Sequence, residues 1–332
     1  MQLSINKIPG SVNTLSGQAR YQSDPLSVYQ HLCKDKAHTI LLESAEIDKK
    51  HQLKSLLLTD TAVKVVCNGN IVTFEALSLN GEAALGFVAS ELNGKATLEK
   101  TTNKDTNNDG KGSKLVATFA PAQENLDELS RLKAINAFEG LRVFQQFENQ
   151  DHHPFAVFLG GAFAFDLMAV AEQLPQVETC DNTCPDFVYY LAETIIIIDH
   201  EKRSTELIGN VYSGEQQQKC YFEISRRLSS IKQTLETDIQ SLDIDMLDIK
   251  ANKSSQSIKT QQVNVDISDD KFCQTVNELK ENIRAGDIFQ VVPSRTFSLA
   301  CPNSLLAYQA LKQTNPSPYM FYLQDNDFVM FG

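Results

Sequence analysis

No stretch of this sequence is apolar for long enough to cross a membrane. The longest run, Phe155 to Ala171, is interrupted by Asp166 and by Gly160-Gly161, where a span needs about 20 cleaner residues. No Lys/Arg cluster offsets the balance of 30 basic against 42 acidic residues, a net charge of −12. Neither a nucleic-acid backbone nor an anionic lipid surface is therefore an expected partner. The opening MQLSINKIPGSVNT lacks the basic start and apolar core of a signal peptide. Cysteines are few: seven, an odd number, scattered from Cys33 to Cys301. Reduced thiols in the cytoplasm are expected in place of a disulfide framework. G-x-x-x-x-G-K-[ST], G-x-G-x-x-G and G-x-S-x-G are all absent, which leaves phosphate cradles and nucleophile elbows without support.

What is present is core-forming material. The 332 residues are 42 % apolar with 18 Phe, which excludes wholesale disorder, and at about 150 residues per domain the length suits two domains. Thr39–Leu42 reads as an apolar strand running straight into Glu43-Ser44. Val63–Val66 and Ile71–Phe74 form an expected hairpin around Asn68-Gly69-Asn70. Residues 91–114 are polar and Gly/Asn-rich, an expected surface loop or insertion. Apolar residues at every third position from 126 to 147 suggest helix, broken around Gly140. Phe155–Leu167 and Thr194–Ile198 are short, β-prone and apolar enough for buried strands. A polar helix is expected from Glu215 to about Ile239.

The last segment carries the clearest signals. Ser268 suits a helix cap, Asp269 and Asp270 suit the first turn, and Gly286 suits the C-terminal stop. Phe272, Val276, Leu279 and Ile283 form the stripe expected to be buried. A strand over Asp287–Phe297, a helix around Leu305–Lys312, and a hairpin of Tyr319–Gln324 with Phe328–Phe331 complete the pattern. The implied organisation is an N-terminal domain over 1–239, a connection over 240–264 and the start of a second domain over 265–332. Fewer than seventy residues make a poor core for that second domain, so the sequence reads as unfinished.

Asp105-x-Asn107-x-Asp109-Gly110 matches the front of a calcium loop, but Val116 stands where the bidentate Glu belongs, which favours a plain polar loop. Cys180-x-x-x-Cys184 and His152-His153 supply only one cysteine pair, short of a structural zinc site. Two stretches are more pointed. Glu43 and Ser44 place a carboxylate and a hydroxyl at a strand end, able to bind an amino acid's ammonium; a strand meeting a turn is the plain alternative. In Asn315-Pro316-Ser317-Pro318-Tyr319-Met320-Phe321-Tyr322, two prolines stiffen the backbone directly before an apolar wall suited to an aromatic ligand. Core packing, the alternative, does not require the prolines.

LLESAEID (41–48), GDIFQVVPSR (286–295) and NPSPYMFYLQDNDF (315–328) resemble the large subunit of anthranilate synthase, component I. CPDFVYYLAETIIIIDH (184–200) resembles its N-terminal domain, and the similarity runs from about residue 20 to 332. The resemblance implies an α+β fold of antiparallel sheets flanked by helices, with a tryptophan-regulatory part followed by the start of a chorismate-binding domain. It implies the condensation of chorismate with ammonia to anthranilate and pyruvate, the first step of tryptophan biosynthesis, with Mg²⁺ on the substrate carboxylate. Ammonia would come from a partner glutamine amidotransferase, component II, and L-tryptophan would inhibit from a separate site. Carried over to this sequence, that site comprises Glu43, Ser44, Lys54, Asn315, Pro318, Tyr319, Met320 and Phe321. Gln290 stands where water-adding relatives have a lysine base; an amide cannot take a proton at neutral pH, which suits amination. The family's remaining catalytic groups, including both Mg²⁺-binding glutamates, lie beyond Gly332. This chain alone is therefore expected to be inactive and to hold no metal ligand. A non-catalytic tryptophan-binding fragment and aminodeoxychorismate synthase component I are the alternatives.

Overall fold

A computed structural model describes residues 8–43, 53–101, 112–121, 127–165, 167, 184–237, 239 and 263–332. Ser44, the 105–110 loop, Cys180 and nearly all of the 240–264 connection lie outside the described residues. The chain forms two compact units, one of Met1–Leu242 with Tyr308–Gly332 and the other of Asp243–Ala307.

The first unit is built on a twelve-stranded sheet. Its main path runs β14 (Val329–Phe331), β13 (Met320–Gln324), β2 (Thr39–Glu43), β3 (Lys54–Asn68), β9 (Phe187–Asp199), β10 (Ser204–Tyr212), β1 (Ser11–Ala19), β7 (Glu148–Asn149). Off this path, β4 (Ile71–Ala76) joins β3, β6 (Lys114–Thr118) joins β4, β5 (Thr97–Thr101) joins β6, and β8 (Leu159–Phe163) joins β9. All these pairings are antiparallel except the two-residue contact of β1 with β7. The nearly continuous apolar run of β9 is buried along almost its whole length, as expected of a central strand.

Strand β3 serves two neighbours. Its first half pairs with β2 (Ile40↔Leu58) and its second with β4 (Val63↔Ala76), with register shifts against β9 between Leu58 and Val63. Such shifts bend a strand and increase its twist. Helix α2 (Leu79–Leu92), capped by Ser78, lies against this bend so closely that a Cβ on Gly81 would stand 2.0 Å from the Ala62 carbonyl oxygen. One core cluster, with Phe74, Leu85, Phe144 and Tyr212, fills the β4–β6 side. A second, with Ile40, Leu58, Tyr190, Ile195 and Leu323, lies on the central strands. Helix α1 (Pro25–Cys33) starts at Asp24, whose carboxylate accepts the Leu26 N–H at 3.2 Å.

Several elements differ from expectation. Residues 91–114 are not a simple loop: α2 extends to Leu92, and β5 adds an exposed strand to β6. The every-third spacing of 126–147 resolves into α3 (Glu128–Lys133), α4 (Glu139–Arg142) and a 3₁₀ turn, Val143–Gln146, the geometry that eclipses i and i+3. Among the described residues of Phe155–Leu167, only β8 is strand. The polar helix is α5 (Gln217–Leu235). The hairpin β13–β14 completes the edge of β2 through five register pairs, Met320↔Glu43 to Gln324↔Thr39. An open edge of unpaired backbone groups is thereby satisfied by sequence far downstream.

The second unit contains β11 (Asn264–Val265) paired with β12 (Phe297–Ser298) and helix α6 (Asp269–Ala285). Ser268 caps α6, and Gly286 ends it at φ +83, a conformation that favours glycine. The apolar stripe of α6 is not buried among the described residues: Phe272, Val276 and Leu279 are half-exposed and Ile283 is exposed. Arg295 instead lies over the Phe272 ring at 5.1 Å and pairs with Asp269. Asp287–Phe297 is not a strand; only Phe297 and Ser298 join a ladder, and Phe289 is fully exposed. Helix α7 (Ser304–Thr314) leads into the Asn315–Met320 loop.

Candidate functional site

Strand β2 ends at Glu43 where β13 begins at Met320, and the two residues stand opposite each other. Side chains alternate along a strand, and directly opposed residues of an antiparallel pair share a face. Thr39, Leu41, Glu43, Met320 and Tyr322 therefore occupy one face, while Ile40, Leu42, Phe321 and Leu323 occupy the other. The first face is covered by aromatic side chains of α1 and α7: Tyr29 lies 5.4 Å and Tyr308 5.6 Å from the Tyr322 ring. Tyr29 also bonds Thr39 Oγ1 at 2.7 Å.

Glu43 is a carboxylate buried on this apolar face, 4 % exposed. Such a group requires partners, and α7 supplies two, one turn apart. Tyr308 OH donates to Oε1 at 2.7 Å and Lys312 Nζ donates to Oε2 at 2.6 Å. Burial, then the adjacent Glu43 carboxylate, hold the Tyr308 hydroxyl far above its ordinary value, so it stays a proton donor. His200, at the end of β9, sits between Tyr21 OH (3.0 Å) and Ser55 Oγ (2.9 Å). Burial lowers its pKa from 6.5, Glu43 opposes that shift and Lys312 reinforces it.

A second polar cluster lies at the far end of β13. Asp325, buried in the turn, accepts from Lys64 Nζ at 2.7 Å, from the Asn326 N–H at 2.6 Å and from Tyr190 OH. Burial raises its pKa, but Lys64 and Tyr190 outweigh that and hold the carboxyl below 3.8. Asp325 is thus committed to neighbouring side chains, and Asp327 is exposed. Among the described residues no group of three His, Cys, Asp or Glu could hold a metal ion.

A family model for the chorismate binding enzymes matches residues 94–332. The chain belongs to this family. It is 41 % identical over 336 residues to anthranilate synthase component 1 of Vibrio cholerae serotype O1, across 100 % of this chain and 59 % of that protein. It is 39 % identical to anthranilate synthase component 1 of Escherichia coli K12, across 97 % and 58 %. The chain thus spans somewhat under three fifths of these relatives. A crystal structure of anthranilate synthase component I from Streptococcus pneumoniae TIGR4 aligns at 17 % identity and TM-score 0.48, over 86 % of this chain and 51 % of that one.

Of the residues singled out through the resemblance to chorismate enzymes, the structure brings Glu43 and Met320 together, both buried. Lys54, at the start of β3, has a half-exposed side chain 3.9 Å from Asp199 and makes no bond to Glu43. Asn315, Pro318 and Tyr319 are exposed, Tyr319 at 88 %, and Phe321 lies on the opposite face from Met320. Ser44 falls outside the described residues. Gln290 is exposed in the segment without a ladder. Tyr308 and Lys312 escaped the sequence reading; the only signal was that a carboxylate at the end of an apolar strand needs a donor from somewhere.

Proposed function

We propose that this chain carries the tryptophan-sensing part of an anthranilate synthase component I. The reaction served would be the condensation of chorismate with ammonia to anthranilate and pyruvate, opening tryptophan biosynthesis. Family membership and the names of the relatives support the reaction class. The observation that carries the regulatory reading is the pairing of buried Glu43 with buried Met320, which unites two distant sequence motifs on one face. Glu43 offers a desolvated carboxylate to the α-ammonium of tryptophan and Met320 a polarizable apolar contact to the indole, and Ser44, next in sequence, adds a hydroxyl. Inhibition is then a coupling free energy between this site and the catalytic one.

Ammonia would be delivered by a glutamine amidotransferase partner, component II. Gln290, which cannot act as a base, suits a reaction whose nucleophile is already free ammonia. Mg²⁺, when bound, supplies electrophilic assistance to departure of the ring hydroxyl. Seven cysteines, an odd number scattered along the chain, suit a reducing cytoplasmic setting. The exposed Gln290 segment favours a chain that by itself binds without turning over.

Calorimetric titration of the 332-residue chain with L-tryptophan tests the site. Saturable binding that weakens at least about tenfold in E43Q is expected from loss of one charge-assisted contact. Absence of binding, or equal affinity in E43Q, removes the reading.

A further inference from the structure

The Glu43 carboxylate already has a cation. Its side chain is 2 % exposed, yet Lys312 Nζ reaches Oε2 from a side chain that is 26 % exposed, while Oε1 is held by the neutral Tyr308 hydroxyl. Resting on the reading of Glu43 as an ammonium receptor, this arrangement raises the question of where a ligand's cation goes. A buried carboxylate left unpaired is strongly unfavourable, so an empty receptor of this kind requires a counterion. Lysine is well suited to that role, being a compact charge on a flexible four-carbon stem with three donors. Oε1 is taken by Tyr308 and Oε2 by Lys312 on a carboxylate only 2 % exposed, so a ligand's ammonium reaches Oε2 only where the lysine has left it. The ligand's ammonium and that of Lys312 therefore exclude each other.

We infer that Lys312 is a tethered stand-in for the α-ammonium of an amino-acid ligand, seated on Glu43 when the site is empty and displaced to solvent when the ligand binds. Its quarter-exposed stem gives it a short way out. Lys312 lies in the last turn of α7, whose end is closed by the Asn315 N–H bond to the Leu311 carbonyl at 2.8 Å. Displacement is thereby felt where the helix passes into the Asn315–Met320 loop, and site occupancy gains a mechanical reporter. Removing Lys312 removes a competitor for cationic ligands alone.

The test compares L-tryptophan with indole-3-propionate, which keeps ring and carboxylate but lacks the ammonium. Affinities are measured by calorimetry on the 332-residue chain at pH 8, with thermal melts to establish folding. In K312Q and K312M the preference for tryptophan over indole-3-propionate should rise about tenfold, the scale of one charge-assisted contact. In K312R it should fall, because a guanidinium grips a carboxylate with two bonds. An unchanged or reduced preference in K312Q and K312M overturns the inference. Should both lack a cooperative melt, K312R decides, and an unchanged or raised preference there overturns it. The underlying reading fails differently: wild type and E43Q would bind tryptophan equally, or not at all.

Discussion

Removing the carboxylate of Asp325 should destabilise the first unit by about 3 kcal/mol. Its side chain is wholly buried and faces Lys64, whose own side chain is 14 % exposed. Breaking a buried pair by deleting one partner costs about 3–5 kcal/mol, chiefly because the survivor is left charged and desolvated. In D325N the amide oxygen still accepts one bond, and Lys64 retains some access to water, which places the loss at the lower end. K64M leaves the carboxylate with Tyr190, the Asn326 N–H and the His38 ring 3.8 Å away, and should cost about as much. The double variant K64M/D325N removes both charges, so its loss should fall short of the sum by about 2–3 kcal/mol, the upper range for residues in one network. Urea unfolding at pH 7, read as a shift in midpoint at constant slope, provides the cycle. Additivity within about 0.5 kcal/mol would refute the assignment of Lys64 and Asp325 as a coupled pair. The pH dependence follows with its sign. Asp325 titrates below 3.8 in the folded state, so its contribution is complete above that value and is lost as pH falls through the folded pKa. Burial likewise lowers His38 from 6.5, against the pull of Asp325, so the neutral ring's contribution is complete above 6.5 and is lost as acid protonates it. Wild type should weaken in two acid stages, and D325N should lose the lower one.

M320A should weaken L-tryptophan binding by about 1–3 kcal/mol, the range for truncating a buried apolar contact, whereas Y319A should change it by under about 0.5 kcal/mol because that ring is 88 % exposed; calorimetric affinities in the reverse order would move the ligand to the other side of the loop. The 332-residue chain should make no anthranilate from chorismate with saturating Mg²⁺ and ammonium at alkaline pH, since the segment bearing Gln290 is exposed and Phe289 and Val292 face solvent. Fluorescence rising above a chorismate-only blank would contradict that.

The sequence by itself determined what short-range chemistry controls. Ser268 before two aspartates and Gly286 after a periodic stripe define α6 at both ends, because caps and left-handed glycine act within one turn. The β3–β4 hairpin follows from Asn68-Gly69-Asn70 between β-prone runs, and β9 from a run of isoleucines too apolar to lie anywhere but in the sheet centre. Tertiary structure alone decided the rest. Asp287–Phe297 has strand composition, yet a strand exists only where a neighbour offers a ladder, and among the described residues one does so only at Phe297 and Ser298. The stripe of α6 has a buried face's period without being buried. The NPSPYMF motif reads as one apolar wall, but strand alternation sends Met320 and Phe321 to opposite faces once β13 pairs with β2. The candidate site shows the limit most plainly. Glu43 was legible as a polar group ending an apolar strand, whereas Tyr308 and Lys312 became its partners only because α7 lies against the completed sheet. A buried charge demands a counterion, but a linear chain does not say which lysine will arrive.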